Sequence, residues 1–268
     1  MMKLIPIIVT VLLALPSVRC LSQVTGANLE LNSAVRLELS SRDLLESLTW
    51  WARLGFSPIR RPGDRVDSAL TLTDGQIVIT LVRTSQPSPS IIFSVDDLAL
   101  TKSILDARKI RRDAATQDSA LRELRLRSPN NVFVTIRAKS SEPDVVRPTT
   151  ELNPVCGKLS ELSAYTDDIS KEQKWWAGLG FKVVRSDTTP YRFVYMSSGF
   201  TEIGLHEARD VPSLTLTYFM PDMAARISRL RNQGLEPAEI IPGFDSQARN
   251  AVYVSPDGQV VYLFEGKR

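Results

Sequence analysis

LTWWARLGFSPIR at Leu48–Arg60 occurs a second time, as QKWWAGLGFKVVR at Gln173–Arg185. The two stretches are 125 residues apart, and the register extends in both directions. From position 36 to position 60, nine of twenty-five residues are identical to their counterparts at 161 to 185. A self-match of this length predicts two copies of one structural unit.

The elements of the first copy follow from hydrophobic spacing and turn residues. Ser40 and Asp43 have the spacing of a capping box, and Gly55 is placed to end the helix that follows. Asp74-Gly75 is a strong hairpin signal between two strands. The patterns predict strands at Val35–Leu39, Phe56–Arg60, Ser68–Thr73, Gln76–Arg83, Ser90–Val95 and Asn131–Arg137, a helix from Asp43 to Gly55 and a second helix at Asp97–Arg108.

The second copy follows the same order. Strands are predicted at Leu159–Tyr165, Phe181–Arg185, Tyr191–Met196, Glu202–Glu207, Leu214–Phe219, Asn250–Val254 and Gln259–Glu265, with helices at Ile169–Leu179 and Asp222–Asn232. Between the copies, Ala138–Lys158 contains three prolines and no periodicity, which predicts a linker. Because the Trp pairs stand at equivalent positions in both copies, they indicate helix-on-sheet packing and not a cofactor site.

Four short segments occupy matching places in these units: Asp43-Leu44 before LGF at 54–56, Asp168-Ile169 before LGF at 179–181, Val95–Leu98, and Ser255–Gly258 before the last strand. With these segments in register, the chain resembles the vicinal oxygen chelate superfamily, which includes glyoxalase I, extradiol dioxygenases, fosfomycin-resistance enzymes and bleomycin-binding proteins. The resemblance implies an α+β fold of four βαβββ modules. These pair into two glyoxalase-like domains, at 33–137 and 158–266, with open curved sheets and outer helices and a linker at 138–157.

The resemblance also implies where a divalent metal would bind. Enzymes of the superfamily take His, Glu or Gln ligands from the first, fourth, fifth and last strands of a domain. In the first copy the matching positions are Arg36, Thr80, Ser90 and Thr135, none of which suits a metal. In the second copy they are Glu161, Gly204, Thr215 and Tyr262, of which only Glu161 qualifies. We therefore predict no metal, no cofactor and no catalytic residue.

The second copy is nevertheless the better candidate for a ligand. Glu161 offers an acceptor and Tyr262 an amphipathic ring. His206, the only histidine, is two residues beyond Gly204 and therefore on the same strand face. We predict that Glu161, His206 and Tyr262 bind a small organic molecule, with Phe264, Leu216 and Tyr165 as candidate walls.

Three functions remain open at this stage. The first is an exported, metal-free, bleomycin-resistance-like protein that holds a small organic ligand in a cup formed by the sheet. The second is a metal-dependent glyoxalase-like lyase or dioxygenase with a residual site in the second domain. The third is a scaffold whose cups are filled by side chains. The tandem copies further suggest a monomer with pseudo-twofold domains.

The first twenty residues differ from the rest of the chain. Lys3 precedes the apolar run Leu4–Leu15, and Pro16–Cys20 ends it, which predicts a secretory signal peptide at 1–20 and export to the periplasm or outside the cell. Lipidation of Cys20 is the alternative. The run is short for a membrane span, so no transmembrane segment is expected in the mature chain. Removing residues 1–20 leaves 31 basic and 30 acidic residues, a balance that does not favour nucleic acid as a partner.

Overall fold

A computed structural model gives the structure of the chain. It describes residues 29, 31, 35–59, 68–84, 86–113, 121–139, 154–209, 211–212, 214–242 and 248–266. The predicted signal peptide at 1–20 and residues 140–153 of the predicted linker lie outside these ranges.

The described residues form four helices and fifteen strands. The helices are α1 (Leu44–Arg53), α2 (Leu98–Ala107), α3 (Ile169–Gly178) and α4 (Met223–Asn232). The first seven strands are β1 (Val35–Ser40), β2 (Ser57–Ile59), β3 (Ala69–Thr73), β4 (Ile77–Val82), β5 (Ser90–Val95), β6 (Glu123–Arg127) and β7 (Phe133–Ala138). The other eight are β8 (Lys158–Tyr165), β9 (Lys182–Asp187), β10 (Phe193–Ser197), β11 (Glu202–His206), β12 (Thr215–Met220), β13 (Glu239–Pro242), β14 (Ala248–Val254) and β15 (Val260–Glu265).

The strands form two open sheets with the same plan. The first has the order β2-β3-β4-β1-β5-β7-β6, and the second has the order β13-β14-β15-β12-β8-β11-β10-β9. At the centre of each sheet, two antiparallel strands join two units: β1 pairs with β5, and β8 with β12. Each of these strands also pairs in parallel with the last strand of its own unit. The predicted α+β fold with two open sheets is confirmed.

Each copy of the repeated segment forms a helix that packs on the sheet of its own half through one tryptophan. Trp51 is fully buried and meets Phe56 edge to face with ring centroids 4.9 Å apart, and Trp176 meets Phe181 in the same way at 5.1 Å. The predicted packing role is confirmed for these two residues. Gly55, just beyond α1, has a φ of 89° and provides the left-handed residue that a helix end commonly needs.

The predicted capping box at the start of α1 is wrong. Asp43 is itself the N-cap, and its carboxylate accepts hydrogen bonds from the backbone N–H groups of Leu45 and Glu46. The Ser40 hydroxyl instead donates to the carbonyl of Gln86. Asp43 satisfies the free helix N–H groups alone, so Ser40 is not needed as a cap.

Side chains alternate between the two faces of each sheet. On β1 and β8, Leu37, Leu39, Leu162 and Ala164 enter one hydrophobic core that contains residues from both halves of the chain. The opposite face of each sheet is here called its open face. On the second sheet the open face carries, in strand order from β15 to β10, Tyr262, Phe264, Thr215, Thr217, Glu161, Ser163, Gly204, His206, Phe193 and Tyr195.

Polar contacts join the two halves of the chain. The Ser47 hydroxyl on α1 donates to Asp257 in the turn between β14 and β15. Glu172 on α3 accepts a hydrogen bond from Ser128 in the turn between β6 and β7 at 2.7 Å. Because positions 47 and 172 are equivalent in the repeat, each helix meets a hairpin of the opposite half. Within the described part of the chain, no helix has the length and apolar character needed to cross a membrane.

Candidate functional site

Glu161 and His206 meet on the open face of the second sheet. They lie on neighbouring parallel strands, β8 and β11, and the Oε1 of Glu161 is 3.0 Å from the Nε2 of His206. Both residues are about 95% buried, with exposed fractions of 4% for Glu161 and 5% for His206. The Ser163 hydroxyl donates to the same Glu161 oxygen at 2.7 Å and lies 2.6 Å from the hydroxyl of Thr217. A hydrogen-bonded polar cluster therefore occupies the centre of this face.

Gly204 makes this contact possible. It lies on β11, two residues before His206, and its backbone faces the space in which the two side chains meet. A Cβ atom at this position would overlap both Glu161 Oε2 and His206 Nε2. Any other residue at 204 would therefore displace one member of the pair.

Three aromatic rings surround the His206 imidazole. The ring centroids of Tyr191, Phe193 and Tyr195 lie 5.8, 6.1 and 5.8 Å from that of His206. Burial, and the nearby charge of Glu161, raise the pKa of the Tyr191 phenol. Rings placed this way exclude water from the imidazole and orient it toward Glu161.

Two polar atoms of the pair remain unused. Among the residues that the structure describes, neither Glu161 Oε2 nor His206 Nδ1 has a hydrogen-bond partner. A buried polar atom without a partner costs free energy, about 1–3 kcal/mol for a neutral group and more for a charged one. Buried polar atoms without a partner are a feature that a bound molecule can satisfy.

A groove lies at one end of the second sheet, and Glu161 is the member of the pair that lines it. The groove has a volume of about 780 Å³. Charged side chains in the lining come from Lys158, Arg185 and Glu202. Apolar side chains contribute much of the rest, and they include Val184, Phe200, Phe219 and Met220. The volume is in the range of small-molecule sites.

Tyr262 lies on the same face but not at the pair. It is on β15, which β12 separates from β8, so about two strand spacings, or roughly 10 Å, lie between it and Glu161. Its ring stacks on Phe264 with centroids 5.4 Å apart and an interplanar angle of 13°. The structure therefore brings Glu161 and His206 together and leaves Tyr262 two strands away from Glu161.

One of the predicted wall residues is wrong. Leu216 is fully buried and points from β12 into the hydrophobic core, so it cannot contact a molecule on the open face. Phe264 and Tyr165 are partly exposed on strands of this face, as the wall prediction requires. A one-position difference along a strand changes the face, which explains the error.

The corresponding face of the first sheet is filled by ion pairs. Arg137 lies 3.0 Å from Glu38 and 3.0 Å from Glu123, and Arg125 also pairs with Glu123. Two of the four positions that the resemblance selected, Ser90 and Thr135, hydrogen-bond to each other at 3.1 Å. The residual cavity measures about 190 Å³, so this face offers much less space than the second.

The residues present do not fit the divalent metal that the resemblance implies. Catalytic zinc sites usually keep three protein ligands. Among His206 and the four positions that the resemblance selects on the second sheet, only Glu161 and His206 have suitable chemistry, and they are hydrogen-bonded to each other. Gly204 has no side chain, and Thr215 and Tyr262 provide only hydroxyls. Within the described residues no group of three or more His, Cys, Asp or Glu side chains is arranged to hold a metal ion.

Sequence reasoning missed much of the polar and aromatic surroundings of the pair. Ser163 and Thr217 complete the hydrogen bonds, and Phe193 and Tyr195 flank the imidazole. The signal was available in part, because Ser163 is two residues after Glu161 and therefore on the same face. Tyr191, Phe193 and Tyr195 also alternate along the predicted strand Tyr191–Met196, although in the structure β10 begins only at Phe193.

Comparison with solved structures identifies the fold. A catechol 2,3-dioxygenase superposes with a TM-score of 0.60 at 16% identity, covering 90% of each chain. The Mn(II)-bound glyoxalase from Novosphingobium aromaticivorans gives 0.55 at 17% identity, covering 89% of this chain and 82% of its own. Homoprotocatechuate 2,3-dioxygenase from Arthrobacter globiformis gives 0.59 at 14% identity, covering 89% and 81%.

No protein-family model matches the chain, and neither does the sequence of any curated protein. The structural similarity extends over nearly the whole chain, so the predicted vicinal oxygen chelate fold is confirmed. At 14–17% identity the similarity defines the fold and leaves the activity open.

Proposed function

We propose that this protein binds a small organic molecule on the open face of its second sheet, and that it does so without a metal. The observation that carries the proposal is the buried Glu161–His206 pair, in which Oε2 and Nδ1 have no partner among the described residues while Glu161 borders a groove of about 780 Å³. A ligand that enters the groove and satisfies these atoms gains hydrogen bonds that the free protein lacks.

The contrast between the two sheets supports this location. The first sheet uses its charged side chains to pair with one another and retains a cavity of about 190 Å³. The second sheet combines a larger groove, apolar walls and a few converging polar atoms, which is the usual composition of a small-molecule site. In this proposal the first sheet is a structural partner and the second sheet holds the ligand.

A thermal-shift screen of the mature protein against a diverse small-molecule panel tests the proposal. A ligand at 100 times its Kd stabilises the folded state by about 2.7 kcal/mol. We expect at least one hit whose shift is lost in Glu161→Gln and kept in Glu207→Gln, which changes a partly exposed carboxylate that pairs with Arg192. If the thermal shifts of all hits are unchanged in both Glu161→Gln and His206→Gln, the ligands do not bind at this pair and the proposed site is wrong.

A metal-dependent lyase or dioxygenase is the second candidate. It is favoured by the fold shared with dioxygenases and a glyoxalase and by the position of Glu161 and His206 on adjacent strands. Elemental analysis after incubation with Zn²⁺, Ni²⁺, Mn²⁺ or Fe²⁺ separates the two functions. A stoichiometric metal that disappears in Glu161→Ala would establish the second candidate and overturn the first.

We further propose that the protein is exported after removal of residues 1–20. Support comes from the sequence alone: a basic residue, an apolar run, and then Pro16–Cys20. Mass spectrometry of the native protein should give a chain that begins near Leu21. An intact Met1 would refute export, and a diacylglyceryl mass on Cys20 would instead identify a lipoprotein.

The domain limits of 33–137 and 158–266 and the monomeric state are part of the same proposal. The second sheet falls within its limits, the first extends one residue beyond them, to Ala138, and polar contacts join the two halves. Analytical ultracentrifugation of the mature chain should give a monomer near 28 kDa, an approximate value that follows from removing twenty residues from 29.9 kDa. A stable dimer would contradict this arrangement.

A further inference from the structure

We infer that the molecule bound at Glu161 and His206 carries a protonated amine on an apolar or aromatic body. The inference rests on the proposed function and specifies its ligand class. It starts from the hydrogen-bonding capacity of the two buried atoms that have no partner in the described structure, Glu161 Oε2 and His206 Nδ1.

The first step concerns which atoms are acceptors. A carboxylate oxygen only accepts hydrogen bonds, and Glu161 Oε1 is already used by Ser163 and His206. When the imidazole donates from Nε2 to Glu161, its Nδ1 also becomes an acceptor in the neutral ring. Glu161, which lines the groove, therefore has a buried acceptor that needs a donor from the ligand, and an ammonium group supplies three donors without presenting a lone pair.

The second step concerns charge. Lys158 and Arg185 also line the groove and would repel a cation, but both are exposed, and the Arg185 side chain is 57% exposed. Exposed charges are screened by water and salt, whereas a buried carboxylate forms stronger charge-assisted hydrogen bonds. The buried carboxylate of Glu161 therefore dominates the selection of ligand charge.

The aromatic surroundings favour the same charge. Tyr191, Phe193 and Tyr195 surround the imidazole, and the guanidinium carbon of Arg185 lies 5.6 Å from the centre of the Phe193 ring. Ring faces attract cations, and this cluster already holds one at its outer side. The apolar body of the ligand would lie against Phe200 and Val184, whose exposed fractions are 61% and 56%.

Three probes of matched shape test the inference: 4-methylbenzylamine, 4-methylbenzyl alcohol and 4-methylbenzoate. Calorimetry on the mature protein at neutral pH should rank the amine first, binding on the order of tenfold tighter than the alcohol because a charged hydrogen bond replaces a neutral one. The benzoate should bind weakest. This ranking is measured on the unmodified chain and does not depend on any variant folding.

Glu161→Gln keeps the size of the side chain and removes its charge. We expect it to weaken the amine on the order of tenfold or more and to leave the alcohol nearly unchanged, which removes the preference. Glu207→Gln is the matched control and should retain the preference, since Glu207 pairs with Arg192 on the exposed side.

The outcomes separate this inference from the proposed function. If the benzoate binds best, or if Glu161→Gln leaves the amine unchanged, the amine class is wrong while a ligand site on this sheet still stands. If none of the three probes binds at millimolar concentration, the amine class is also overturned. The proposed function then depends on the result of its broader panel and on loss of those hits in Glu161→Gln.

Discussion

Gly204 determines whether Glu161 and His206 can approach each other. Burying a carboxylate is costly unless hydrogen bonds compensate, and Glu161 receives them from Ser163 and His206 across the space above Gly204. A glycine within a strand usually weakens it, because it has no side chain to pack. Here the small residue allows a polar pair that a larger residue would separate.

Replacing Gly204 with alanine should therefore destabilise the protein. We expect a loss of about 1–3 kcal/mol in the free energy of unfolding, the range for inserting a methyl group into a packed site. In a Glu161→Ala background the same change should cost less, because one of the two overlapping side chains is gone and only His206 Nε2 remains close to the added methyl group. Urea denaturation of the four proteins gives the coupling, and additive costs would show that the methyl group clashes elsewhere.

The residues of this pair were partly predictable. Glu161 and His206 could be selected from repeat positions and from the two-residue period of a strand. Their contact could not, because it depends on the register between β8 and β11, which are separated by a helix and two strands, and on the side-chain conformations that Gly204 permits. Tyr262 had an equally good position in the sequence, yet β12 separates it from the pair.

At the level of elements, the prediction was accurate where the repeat supplied a second copy. It missed β6 and β13, each of which stands at a sheet edge. The segment Arg122–Arg127 (RELRLR) is rich in charge, but its alternation places Leu124 and Leu126 in the core. Glu123 and Arg125 pair with each other on the open face of the first sheet. Because their charges suggest an exposed segment, the two-residue period of a strand was not recognised.

The ion pairs on that face should be important for stability, because Arg137 contacts both Glu38 and Glu123. We expect Arg137→Met to lower the free energy of unfolding by about 1–3 kcal/mol, since it leaves two half-buried carboxylates without their shared donor. Arg192→Met removes an exposed ion pair and should cost no more than about 1 kcal/mol. Equal costs for the two variants would mean that burial adds nothing to the Arg137 contacts.

The same residues should affect how the free energy of unfolding changes at low pH. Burial tends to raise the pKa of Glu123, but hydrogen bonds and charge from Arg137 and Arg125 outweigh it, and the pKa is lowered. A carboxylate whose pKa is lowered in the folded state stabilises the fold at pH values above the ordinary glutamate pKa of about 4.3. This stabilisation is lost as the pH falls through the folded-state pKa. Unfolding free energies measured from pH 6 to pH 3 should fall less steeply in Arg137→Met than in the unchanged chain.

At the scale of the molecule, the two halves are joined by contacts that are related but not identical. On one side the helix provides the hydroxyl of Ser47 and the hairpin provides Asp257. On the other side the helix provides the carboxyl of Glu172 and the hairpin provides Ser128. A third contact joins Asp74 of the first half to the Tyr218 hydroxyl of the second at 2.9 Å. The repeat predicted equivalent helices, but not that donor and acceptor exchange places between the two contacts.

Two of these carboxyl groups should make the junction weaken as the pH rises. Burial raises the pKa of Glu172, although hydrogen bonds from Ser128 and the Asn130 backbone partly offset this, and burial raises the pKa of Asp74. A raised folded-state pKa means that the folded protein retains the proton longer than the unfolded chain. The stabilisation is therefore complete below the unfolded value of about 4 and is lost as the pH rises through the folded-state pKa.

Glu172→Gln tests this linkage because glutamine cannot ionise. From pH 4 to pH 8 we expect its unfolding free energy to increase relative to that of the unchanged chain, with the difference developing above the ordinary glutamate pKa. Glu46→Gln, which changes an exposed carboxylate on the equivalent helix α1, is the matched control and should not reproduce this increase. Urea denaturation at unit steps of pH provides the measurement. Parallel curves for the unchanged chain and Glu172→Gln would mean that Glu172 remains hydrated in solution, and the helix–hairpin contact would then be absent at this side of the junction.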